Sequence, residues 1–154
     1  MTASNLSINR NPASEDNVTP TEARMNTTLK LNLALGWIWI VLGFGSGFLL
    51  GLGFHKENWL GGYASHTRRM LRLGHISFFG LAAVNLLFYF STKSLAAAGS
   101  SVQWASWLFV IGAVSMPICC ALMAWSAKCR LLFSVPVLSL LAAGLLTVLE
   151  VIKL

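Results

Sequence analysis

Residues 33–54 read LALGWIWIVLGFGSGFLLGLGF, without one charged side chain. At 1.5 Å per residue a helix of about 22 residues is some 33 Å long, enough to cross a hydrocarbon layer of about 30 Å. Three further apolar blocks follow, Leu73–Ser91, Val102–Trp125 and Leu131–Ile152. Backbone in lipid must pair its own amides, so each block is predicted as an α-helix. The connections 55–72, 92–101 and 126–130 are short, which makes consecutive helices antiparallel neighbours. The predicted fold is an all-α integral membrane protein, an up-down-up-down bundle of four antiparallel transmembrane helices over residues 33–154.

Composition agrees. Of 154 residues, 56% are hydrophobic and 10% charged, with a mean hydropathy of +0.69, whereas soluble domains carry about 25% charged residues. That balance excludes an ordinary cytosolic enzyme and a nucleic-acid binder. Residues 1–32 hold six Asn, three Ser and five Thr and no aromatic residue, which predicts a polar, disordered tail. Its three Asn-x-Ser/Thr triplets follow from that composition. The late, long first block is unlike the apolar core of a secretory signal peptide.

The net charge of +6 is distributed along the membrane borders. Lys56, Arg68, Arg69, Arg72, Lys128 and Arg130 fall on one side, and Arg24, Lys30, Lys93 and Lys153 on the other. The richer side is expected to be cytoplasmic, with both termini outside and a bacterial inner (plasma) membrane as the location. Trp37, Trp39, Trp104 and Trp107 mark one interface; Trp59, Tyr63 and Trp125 mark the other.

Gly43, Gly47 and Gly51, four residues apart, form a bare stripe on the first helix. Such a stripe lets a second backbone approach closely, from the same chain or from another subunit. The run His66–His75 places Arg68, Arg72 and His75 on one helix face. With Arg69, these arginines either anchor the orientation or hold lipid phosphates or an acidic partner. His75 lies just inside an apolar block, where an ionisable residue is either functional or a neutral packing histidine.

Met116, Cys120 and Met123 share a stripe on the third helix, with Cys119 beside it. Soft sulfur ligands suit copper, and a His/Met pair suits haem b, so His75 and Met123 with Cys119 and Cys120 form the alternative reading of a redox or metal-handling protein. No cofactor is expected on the main reading. Pro117 and Pro136 should each remove a backbone hydrogen bond and kink their helices. Asn85 should bond to a neighbouring helix, and Glu150 should pair with Lys153, Lys93 or Lys30. Nucleophile–base pairs, phosphate loops and clustered carboxylates do not occur, so no enzymatic activity is expected. The function expected is that of an accessory subunit, with the lipid bilayer and other membrane proteins or a second copy as partners.

Overall fold

In the computed structural model the described residues are 20–94 and 99–153. Four helices account for most of them: α1 (Pro20–Gly53), α2 (His66–Ser94), α3 (Ser100–Trp125) and α4 (Ser134–Ile152). Short 3-10 segments cover Trp59–Gly61 and Ala127–Phe133, and no strand occurs among the described residues. Among the described residues four segments are long and apolar enough to cross a membrane: Met25–Gly53, His66–Ser94, Ser100–Trp125 and Arg130–Ile152.

Two boundaries differ from the sequence expectation. Residues 20–32, expected in the tail, belong to α1, while residues 1–19 of that tail lie outside the described residues. Thr28, Leu29 and Asn32 are buried, and Leu29 joins a core cluster with Phe88, Val102, Ala105, Phe109 and Ala143. Helix α2 likewise begins at His66 rather than near residue 73. Its first turn is fastened to the end of α3. His66 Nε2 donates to Met123 O (3.0 Å) and Thr67 Oγ1 to Ala124 O (2.9 Å). These carbonyls belong to the last turn of α3, where backbone acceptors have no helical donor.

Small residues set the helix contacts. A Cβ on Gly36 would stand 2.7 Å from Leu86, one on Gly43 2.8 Å from Phe79, and one on Gly47 2.7 Å from His75. Partner numbers on α2 thus fall as those on α1 rise. Between α2 and α3, Gly74 meets Cys120 and Phe88 meets Phe109 at 5.0 Å. Between α3 and α4, a Cβ on Gly112 would lie 2.5 Å from Leu140. Helix α1 packs on α2 and, less extensively, on α3, whereas α4 packs chiefly on α3.

The prolines part company. Pro117 is inside α3, and its missing N–H leaves the carbonyl four residues back, Ala113 O, without its helical donor. Trp39 of α1 supplies one, its Nε1 lying 3.0 Å from Ala113 O. Rather than standing in an interfacial girdle, Trp39 is half-buried and packs edge-on to Phe78. Trp37, Trp104 and Trp107 stay exposed. Pro136 occupies the first turn of α4, where no intrahelical donor is needed, so it breaks no bond of that helix.

Candidate functional site

Three polar groupings interrupt the apolar structure. The first joins α1, α2 and α3. Asn32, Asn85 and Ser106 are each fully buried. Asn32 Nδ2 donates to Asn85 Oδ1 (2.9 Å) and to Ser106 O (3.4 Å). Ser106 Oγ donates to Asn32 Oδ1 and Asn85 Nδ2 to Leu81 O (2.8 Å). The cross-helix bond expected of Asn85 is present. Asn32 escapes a reading of the sequence because it lies next to Lys30 at the edge of the apolar run; a polar residue one turn from a span end is its only signal.

The second surrounds His75, which is half-buried on α2. Its Nδ1 lies 3.0 Å from Ser46 Oγ, and Ser46 Oγ also contacts Gly43 O at 3.0 Å. A serine has one proton to give and a carbonyl can only accept. Ser46 therefore donates to Gly43 O and accepts from His75 Nδ1–H. The ring packs edge-on to Phe79 (5.5 Å) and over Gly47. It borders a cavity of about 260 Å³ lined also by Ser46, Gly74, Phe78, Pro117 and Cys120.

Of Met116, Cys119, Cys120 and Met123, Cys120 alone lines that cavity. Cys119 is buried toward α4, with Sγ donating to Leu132 O (3.3 Å). Met123 borders a separate cavity with Met70, Arg130 and Phe133, and Met116 is half-buried elsewhere on α3. Neighbouring positions on a helix point about 100° apart, so Cys119 and Cys120 serve different interfaces. Among the described residues no group of three or more His, Cys, Asp or Glu is placed to hold a metal ion. Of the glycine stripe, Gly43 and Gly47 receive α2, whereas a Cβ on Gly51 would meet open space out to 4 Å. Glu150 pairs with Lys153 at 2.8 Å.

The third grouping is basic. Arg68 is buried on α2 with its Cζ 5.0 Å from the Phe54 ring centroid, 5.7 Å from Trp59 and 5.4 Å from Tyr63. Arg72 Cζ lies 4.4 Å from the Tyr63 ring centroid, and its Nη2 donates to Tyr63 O (3.3 Å). Arg69, one position along, is exposed. The connection folds back through Leu60, Gly61 and Gly62, all at positive φ (54°, 83° and 87°), which brings Trp59 and Tyr63 over the arginines. Glycine adopts such angles freely, whereas Leu60 holds one at a cost. The aromatic box is not foreseen from sequence, where Trp59 and Tyr63 read as interface markers; the Gly61-Gly62 pair beside them is the signal of a reversal.

No family model, curated protein or solved structure matches the chain.

Proposed function

We propose that the chain is an integral membrane protein whose four helices run antiparallel, up-down-up-down, and that it acts as a non-catalytic accessory subunit. It would hold partner membrane proteins, or a second copy, through apolar helix faces, and anionic lipids through its Arg-rich end. The observation that carries this is the outward surface of the four apolar helices. Phe44, Phe48 and Leu49 of α1, Leu87 of α2, and Leu141 and Leu145 of α4 are all exposed. A water-soluble monomer rarely shows contiguous apolar surface on that scale, whereas lipid or protein neighbours in a bilayer cover it without loss. The opposed numbering of the α1–α2 and α2–α3 contacts supports the alternating topology.

The excess of Lys and Arg at the α1–α2 and α3–α4 connections supports an orientation with both termini outside; a bacterial inner membrane is proposed as the location. Alkaline carbonate extraction of membranes containing the full chain tests insertion, and mild-detergent purification followed by mass spectrometry and a visible spectrum tests the role. The protein should stay in the pellet and then purify with a stoichiometric partner or as an oligomer, without a Soret band or bound copper. Release by carbonate would overturn the membrane assignment. A stoichiometric cofactor would overturn the accessory one.

A further inference from the structure

Among the described residues no anion pairs with Arg68. Only 5% of its surface is exposed, and its Nε is enclosed with no hydrogen-bond partner. Among the described residues the ion pair formed is that of Lys153 with Glu150, at the other end of the helices. Glu57, on the same connection, is exposed and in no ion pair. The remaining charged or titratable neighbours at this end, His55, Lys56, His66, Arg69, Arg72 and Arg130, add positive charge or none.

The rings of Phe54, Trp59 and Tyr63 attract the guanidinium through the negative potential of their faces. They carry no net charge and leave the in-plane Nε–H unsatisfied. Removing an unpaired ion from water carries a penalty that survives relaxation of its surroundings. Arg72 stands over the same Tyr63 ring, so two guanidinium groups one helical turn apart flank one aromatic side chain. Stacked guanidinium faces with donors left on their edges suit a tetrahedral oxyanion, which accepts two parallel hydrogen bonds from each.

We infer that Arg68 and Arg72, framed by Phe54, Trp59 and Tyr63, form a binding site for the phosphate of an anionic phospholipid headgroup. The box sits where α1 ends and α2 begins, at the edge of the apolar segments, where lipid phosphates lie. This rests on the membrane assignment proposed above.

The test uses the full chain purified in mild detergent, titrated with phosphatidylglycerol, phosphatidylcholine and inorganic phosphate, and read by native mass spectrometry and thermal unfolding. Phosphatidylglycerol should be retained and raise the unfolding midpoint, with phosphatidylcholine, whose phosphate is the same but whose quaternary ammonium is repelled by the two guanidinium groups, binding about tenfold more weakly. Arg68→Gln should lower phosphatidylglycerol affinity at least about tenfold, Arg68→Lys less, and exposed Arg69→Gln should leave it unchanged. If Arg68→Gln does not fold, Arg72→Gln replaces it, with a several-fold loss expected. Equal binding of both lipids, or unchanged phosphatidylglycerol binding in a folded Arg68→Gln or Arg72→Gln variant, would overturn the site. Stabilisation by inorganic phosphate alone, equal to that by phosphatidylglycerol, would overturn its assignment to lipid. Failure of the membrane assignment is distinguishable, because the chain would then leave the pellet in alkaline carbonate.

Discussion

Trp39 of α1 donates its indole N–H to Ala113 O of α3, the acceptor that Pro117 strips of its helical donor. A break in one helix is thereby closed by a side chain from another. Trp39→Phe keeps most of the apolar area and removes the donor, so it should lower stability in detergent by about 1 kcal/mol. In a Pro117→Ala background residue 117 again has an N–H for Ala113 O, and the cost of Trp39→Phe should shrink toward zero. Unfolding of the two single variants and the double variant measures this; equal costs in both backgrounds would show that the two residues are not coupled.

The Asn32–Asn85–Ser106 network should behave as one unit. Asn32→Ala removes the donor to Asn85 Oδ1 and the acceptor of Ser106 Oγ. A stability loss of about 1 kcal/mol is expected, within the range seen for polar contacts between membrane helices. Thermal unfolding of Asn32→Ala, Asn85→Ala and the double variant checks this. The double variant should lose less than the two single losses added together; strict additivity would mean independent bonds.

The glycines of α1 should separate into two kinds. Gly47→Leu drives a side chain into the His75 ring and should cost about 1–3 kcal/mol, as overpacking does. Gly51→Leu meets open space and should be neutral or slightly stabilising, since leucine is the better helix former. Unfolding midpoints of the two variants in the same detergent give the comparison. Similar midpoints would remove the α1–α2 seam as the reason for Gly47.

Ser46 should fix the proton position on His75. In ¹⁵N-histidine-labelled protein at neutral pH, the His75 ring should carry its proton on Nδ1. Ser46→Ala should release the proton from Nδ1 alone to a mixture of Nδ1 and Nε2. A wild-type ring already protonated on Nε2 alone would contradict the hydrogen-bond direction deduced from Gly43 O.

Long apolar runs make the four helices legible in the sequence, since length and composition alone define a candidate span. Their ends are less so. A hydropathy window stops at Lys30 and Asn32, yet Asn32 is buried because groups on two other helices satisfy it, a property of the assembled fold rather than of the segment. Gly43 and Gly47 are legible as close-packing positions. Gly36 and Gly112 do not stand out, although they admit Leu86 and Leu140 in the same way. His75 is recognisable as an ionisable group at an apolar border, but Ser46, its partner, lies 29 residues away and carries no local mark. The sulfur stripe groups side chains that the fold distributes among separate interfaces. Arg68 is identifiable as basic and on the face of Arg72, while its burial depends on the reversal at Leu60–Gly62.

Asn32 also bears on how the chain is made. Its side-chain partners lie 53 and 74 residues later in the sequence, so a ribosome has delivered α1 well before either arrives. On the membrane assignment proposed above, until then an amide with two donors faces lipid or the insertion machinery alone. The first helix should consequently remain free to rotate, and to be held by that machinery, until the third has emerged and locks its azimuth.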